Sequence, residues 1–248
     1  MKAKLTLIGA GPGDPELITL KAVKALEKAD VVLYDSLVNP ELLSLAKKAE
    51  LIWVGKRKDR HSIGQDVING KILELSKTHT NLVRLKGGDC MVFGRAYQEI
   101  ETALLNGLHV EVIPGISTYS AFAAQSLTPI TKREISSGFW VISATNLREE
   151  LMADLRFTAE STSTILIYMG FEKLSEIVSI FKEIKPDHFP IGIFQNISLE
   201  SYNYALGTLG DIQEKALAKN ISTPAMIVAG YSLEHSPILN PSYLSTLL

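Results

Sequence analysis

A chain of 248 residues is long enough to bury a large core and accommodates two compact halves. Its formal net charge of -2 excludes a global attraction for nucleic acid or an anionic membrane, so an anionic ligand must meet a local basic patch. The single cysteine, Cys90, excludes an intramolecular disulfide framework and a cysteine-based structural zinc site, and it fits a reducing cytosol.

From Lys4 to Ile8 the chain reads as a buried first strand. Basic residues precede it in the manner of a signal peptide, but the apolar run is too short and passes directly into a glycine loop. No later run approaches the roughly 18 apolar residues that span a bilayer. The expectation is a soluble cytoplasmic protein with neither membrane nor nucleic acid as partner.

Short apolar runs then alternate with helical patterns. Strands are expected at Val31–Tyr34, Leu51–Val54, Leu82–Leu85 and Val110–Ile113, and helices at Leu17–Ala29, Val67–Leu75 and Tyr97–Leu105. This order implies a parallel α/β sheet. The stretch Leu127–Ser137, with Pro129 and several hydroxyl residues, interrupts the alternation. A domain boundary is placed near Thr131, giving 1–130 and 131–248. Beyond it, strands are expected at Phe139–Ser143, Thr164–Tyr168, Ile191–Gln195 and Ala225–Ala229, and a helix at Glu172–Glu183. No internal repeat is visible.

Gly9-Ala10-Gly11-Pro12-Gly13-Asp14-Pro15 stands between a strand and a helix, where a dinucleotide-binding loop would stand. A G-x-G-x-x-G loop starting at Gly9 needs glycine where Asp14 is, and Pro12 has no N–H for a phosphate. A carboxylate there would also repel a pyrophosphate. What remains is a tight turn, or a close approach of backbone to a ligand without phosphate. Gly87-Gly88-Asp89 follows the fourth strand at its carboxyl end, where open α/β sheets bind ligands. Taken alone, it is a turn capped by an aspartate.

The glycine loop, continued by Glu16-Leu17-Ile18-Thr19-Leu20-Lys21-Ala22 and by Ala29-Asp30-Val31-Val32-Leu33-Tyr34-Asp35-Ser36-Leu37-Val38, resembles the opening signature of the tetrapyrrole methylases. Val83-Arg84-Leu85-Lys86-Gly87-Gly88-Asp89 followed by Val92-Phe93-Gly94-Arg95 is similar to the diagnostic motif of the uroporphyrinogen III methyltransferases within them. The resemblance covers nearly the whole chain and is strongest from Leu7 to Thr131. It implies two α/β domains with S-adenosylmethionine, the methyl donor, folded into the cleft between them. S-adenosylhomocysteine is the implied product, with a tetrapyrrole as substrate, no metal, and a homodimer.

By the same resemblance, Pro12, Gly87, Gly88, Asp89, Val92, Ser117, Thr118, Met169, Ile197, Thr223, Pro224 and Ala225 contact the cofactor. Asp35 is implied as proton acceptor and Lys56 as proton donor, with Arg95 a rival for proton handling. Read from chemistry alone, Arg95 is a fixed positive charge better suited to electrostatic stabilisation. Arg57, His61, Gln98 and Arg133 are assigned to the substrate, whose acetate and propionate arms require local basic groups. Arg84, Lys86 and Arg95 form the middle of three basic clusters, after Lys56-Arg57-Lys58 and before Lys132-Arg133.

The departures from the family pattern are Cys90 and Met91 for proline and phenylalanine, Ala96-Tyr97-Gln98 for glycine-glycine-glutamate, and a bulky Ile197. Gln98 cannot act as a base, and Glu99 would replace the missing carboxylate only if the helix turned. A precorrin methyltransferase, a diphthine synthase and a non-catalytic tetrapyrrole-binding homologue remain alternatives, and a nucleotide-binding oxidoreductase is the alternative of another class.

Overall fold

The computed structural model describes residues 2–55, 64–146 and 150–246. The chain forms two compact units, Met1–Thr118 and Tyr119–Leu248.

The first unit holds five strands, β1 (Lys4–Gly9), β2 (Val31–Tyr34), β3 (Glu50–Trp53), β4 (Asn81–Lys86) and β5 (His109–Ile113), in the order β3-β2-β4-β1-β5. Every pairing is parallel, as the alternation of the sequence implies. Such a sheet is covered on both faces. Leu5, Leu7, Val31, Leu33 and Leu82 share a core with Ile68 and Ile72 of α2 (Gln65–Leu75) and Ala96 and Ala103 of α3 (Ala96–Leu105). Ile8, Val32, Val83 and Leu85 project the other way, onto Ala22 and Leu26 of α1 (Leu20–Leu26) and Leu42 of the 3₁₀ turn Pro40–Leu45.

Helix α1 starts later than its apolar pattern, because side-chain caps divide the segment. Asp14 Oδ1 accepts the Glu16 amide and caps the 3₁₀ turn Pro15–Leu17, and Thr19 Oγ1 accepts the Ala22 amide at the start of the α-helix.

The second unit holds β6 (Phe139–Ser143), β7 (Thr164–Tyr168), β8 (Pro190–Gln195), β9 (Asn203–Thr208) and β10 (Ala225–Ala229), in the order β6-β7-β10-β8-β9. Only β6 and β7 are parallel. The pairs β7–β10, β10–β8 and β8–β9 run antiparallel, so this sheet is mixed. Ile165, Ile167, Ile191, Ile193 and Ile227 pack with Ile177, Val178 and Phe181 of α6 (Leu174–Lys182), Leu155 of α5 (Asp154–Glu160) and Ile212 of α7 (Ile212–Ala218). Phe122 of α4 (Thr118–Gln125) meets the Phe194 ring at 4.4 Å between centroids. Among the described residues no helix is long and apolar enough to cross a membrane.

Candidate functional site

At the carboxyl end of the parallel sheet, three chain segments meet with no side chain between them. A Cβ on Gly9 would lie 2.5 Å from the Gly115 nitrogen and 2.7 Å from the Gly88 carbonyl oxygen. Gly9 ends β1, Gly88 follows β4 and Gly115 follows β5, so glycine is required for the three backbones to touch. Gly11 and Gly88 form an isolated two-residue bridge: the Gly11 N–H donates to Gly88 O at 3.2 Å and the Gly88 N–H to Gly11 O at 2.7 Å. The Ala10 N–H donates to Lys86 O, and the Gly115 N–H donates to Asp89 Oδ2 at 3.1 Å.

The amides of Ala10, Gly11, Gly88 and Gly115 are therefore engaged within the protein, whereas a phosphate cradle presents such groups to its ligand. The loop shapes a surface of bare backbone suited to a ligand without phosphate. Asp14, the carboxylate that spoils the dinucleotide spacing, serves as a helix cap.

The cofactor positions expected in the first unit gather around this junction. Asp89 braces it, with Oδ1 accepting the Met91 amide at 2.8 Å and Oδ2 the Gly115 amide. Its remaining lone pairs stay available to a ligand hydroxyl or amine. A Cβ on Gly87 would meet Leu37 Cβ at 2.7 Å, and one on Gly88 would approach Thr118 Oγ1 to 3.9 Å. Pro12 and Val92 are half-buried, Ser117 is buried and Thr118 opens α4.

Asp35 follows β2 at the same sheet end, its side chain 23% exposed. Oδ1 accepts the Leu37 amide at 3.1 Å and Oδ2 accepts from Arg84 Nη2 at 3.2 Å. Arg84 is only 3% exposed; its Nη1 donates to the carbonyls of Leu33 and Leu85, and its Nε donates to Glu99 Oε1 at 3.3 Å. Lys86 Nζ reaches the same oxygen at 2.8 Å.

Arg84 and Lys86, grouped with Arg95 as a basic cluster in the sequence, thus belong to a buried charge cluster. The reason is strand geometry. Residues 82, 84 and 86 point to one face, and that face carries α3 with Glu99. Burial, and secondarily the Arg84 charge, lower the Lys86 pKa, and the Glu99 carboxylate opposes the shift.

Arg95 is exposed and sits at φ 53°, in the left-handed region, just before α3. Gln98, one turn on, is exposed, while Glu99 is fully buried. The helix therefore does not turn Glu99 outward in place of the missing carboxylate. Lys56, Arg57 and His61 lie outside the described residues.

In the second unit, Met169 and Asn196 follow β7 and β8 with φ of 53° and 52°, and Ser198 has φ 70°. Non-glycine residues held this way cost about 1–3 kcal/mol each and cluster at ligand sites. Met169 is 55% exposed, unlike a core methionine. Ile197 is buried. The Asn196 N–H donates to Pro224 O, bringing the chain after β8 beside Thr223-Pro224-Ala225 at the start of β10. Thr223 and Pro224 are exposed, and Ala225 is half-buried. Arg133 is exposed in the turn closed by the Lys132–Ser136 bridge.

A family model described as tetrapyrrole (corrin/porphyrin) methylases matches residues 4–213. The chain belongs to this family. Among the methylases, the chain is 41% identical to a uroporphyrinogen-III C-methyltransferase from Methanocaldococcus jannaschii, over 93% of this chain and 96% of that one. A uroporphyrin-III C-methyltransferase from Thermus thermophilus, solved in complex with S-adenosylhomocysteine, superposes with a TM-score of 0.80 at 33% identity, covering 94% of this chain and 99% of that one. A cobalt precorrin-4 methyltransferase gives 0.82 at 26% identity, over 92% and 95% of the two chains.

Proposed function

We propose that this chain is an S-adenosylmethionine-dependent C-methyltransferase that converts uroporphyrinogen III to precorrin-2 by methylation at C2 and C7, on the route to sirohaem and cobalamin. The observation that carries the reading is the glycine junction. Its amides are bonded within the protein, its carbonyls and Asp89 remain able to accept hydrogen bonds, and relatives of the same length bear this activity in their names.

Pro12, Gly87, Gly88, Asp89, Val92, Ser117 and Thr118 of the first unit, with Met169, Ile197, Thr223, Pro224 and Ala225 of the second, would hold the cofactor. When bound, it supplies an electrophilic methyl group on a sulfonium. Methylating a pyrrole carbon leaves a proton to be redistributed, and Asp35, half-exposed with a lone pair free on each oxygen, is the acceptor we assign. Lys56 is the assigned donor. Arg95, exposed and always charged, stabilises anionic groups and does not move a proton. Arg57, His61, Gln98 and Arg133 are assigned to the acetate and propionate arms, which arginine binds by forked hydrogen bonds. We further assign the protein to the cytoplasm, as a homodimer.

Anaerobic incubation with uroporphyrinogen III and S-adenosylmethionine tests the reading. The expected product is heavier by two methyl groups, and unmethylated substrate after prolonged incubation would refute it. Likeness to the cobalt precorrin-4 methyltransferase supports a second reading, a precorrin methylase, which predicts methylation of a precorrin while uroporphyrinogen III is left untouched.

A further inference from the structure

The cluster beneath Asp35 is built at a cost to folding. Glu99 is completely buried, and its Oε1 alone receives Arg84 Nε, Lys86 Nζ and Gln65 Nε2, at 3.3, 2.8 and 3.2 Å. Its Oε2 is buried with no hydrogen-bond partner among the described residues. Burying a carboxylate is expensive, and buried ion clusters are commonly no more stable than apolar side chains of the same volume. What the cluster does achieve is a fixed direction for Arg84. Two backbone carbonyls and Glu99 hold three of its N–H groups, and the remaining nitrogen, Nη2, points to Asp35 Oδ2 at 3.2 Å.

We infer that Glu99 is a positioning residue that orients the Asp35 carboxylate through the guanidinium of Arg84. Asp35 sits just beyond β2, where Oδ1 is tied to the Leu37 amide two residues on. With Arg84 on Oδ2, both oxygens are fixed and rotation of the carboxylate about its last bond is stopped. Without Glu99, Arg84 loses its anionic anchor and Lys86 loses its partner, and the second tie on Asp35 loosens. Glu99 reaches neither substrate nor cofactor in this scheme, since it is wholly enclosed. The inference rests on the role proposed for Asp35.

The test is a double-mutant cycle between Glu99→Gln and Asp35→Asn, read by single-turnover methyl transfer to uroporphyrinogen III, together with the KM for that substrate and the affinity for S-adenosylhomocysteine. Glu99→Gln is expected to slow transfer about tenfold in the parent, with KM and affinity within about twofold, and to slow it less than about twofold in the Asp35→Asn background. Equal losses in both backgrounds, or a fall in S-adenosylhomocysteine affinity matching the loss of rate, would assign Glu99 a structural role and overturn the inference. Arg84→Lys keeps the buried charge while giving up the fork that joins Glu99 to Asp35, and it stands in should Glu99→Gln not fold. It is expected to show the same non-additivity, and parental turnover in Arg84→Lys would equally overturn the inference. Failure of the reading beneath it looks different: parental turnover in Asp35→Asn removes the role of Asp35 itself.

Discussion

Asp35 and Cys90 show how differently two side chains of one sheet end are prepared. Asp35 keeps a lone pair on each oxygen after its two hydrogen bonds and is partly exposed. For the role proposed for it as proton acceptor, Asp35→Asn is expected to lower kcat about 10²–10³-fold with little change in S-adenosylhomocysteine affinity, measured by turnover and calorimetry. Cys90 is fully buried, and burial first, then the neighbouring Asp89 charge, push its thiol up to about 11. A thiol that stays protonated is a poor nucleophile, so native protein at pH 8 should resist iodoacetamide and label fully in denaturant, as mass spectrometry would show. Labelling of the native form at the denatured rate would contradict this. At this scale the sequence was informative about residue type and silent about direction. Gln98 and Glu99 are neighbours in the chain, but the helix sends one to solvent and the other into the core. The spacing of Leu82, Arg84 and Lys86 on one face was the available signal that two cations required a buried anion.

The glycine junction belongs to the elements, because it sets how closely the loops after β1, β4 and β5 approach. Gly9→Ala would push a methyl against the Gly115 backbone, which cannot withdraw as a side chain can. It is expected to cost about 3 kcal/mol or more in denaturant unfolding and to abolish S-adenosylhomocysteine binding; a mild loss on both counts would show that the junction can spread. On the edge strand β5, Glu111 pairs with Lys4 of β1 and Lys21 of α1. Hydrogen bonds from Lys21 and then Lys4 hold its carboxyl down to about 2. A depressed carboxylate stabilises the fold above its unfolded value of 4.5, and the contribution is lost as pH falls toward 2. Glu111→Gln should therefore cost about 0.5–1 kcal/mol at pH 7 in low salt and almost nothing at pH 2, by comparison of unfolding curves. Strands such as Val31–Tyr34 and Thr164–Tyr168 were legible because buried strands are continuous apolar runs. Strand β9, Asn203–Thr208, was not. Its Asn203, Ala205 and Gly207 carry little strand signal, and it exists through its antiparallel ladder with β8. Helix α7 escaped for a related reason, being a short segment held by Ile212 and Ala216 against a core formed elsewhere in the chain.

Across the whole molecule, each unit carries its own sheet and core, one sheet purely parallel and the other mixed. Alternation in the sequence predicted the first pattern. It did not disclose the second, since the direction of a strand depends on crossovers that composition does not record. For the assembled protein, S-adenosylhomocysteine at a hundred times its Kd should stabilise by about 2.7 kcal/mol and raise Tm by about 5–10 °C, while NAD should not shift it. A shift with NAD alone would return the glycine loop to the dinucleotide-binding class. The order of the parallel sheet also has a consequence during synthesis. Strand β1 lies between β4 and β5, so Lys4 waits for Asn81 on one side and His109 on the other. At about 5–20 residues per second, β5 leaves the ribosome roughly 5–20 s after β1. Until β4 follows, about 4–15 s after β1, Leu5, Leu7 and Ile8, all fully buried in the finished sheet, have neither neighbour to pair with. This interior strand is the first of the five to be made and among the last to be enclosed, which makes the nascent chain a natural client for chaperones that bind short apolar segments.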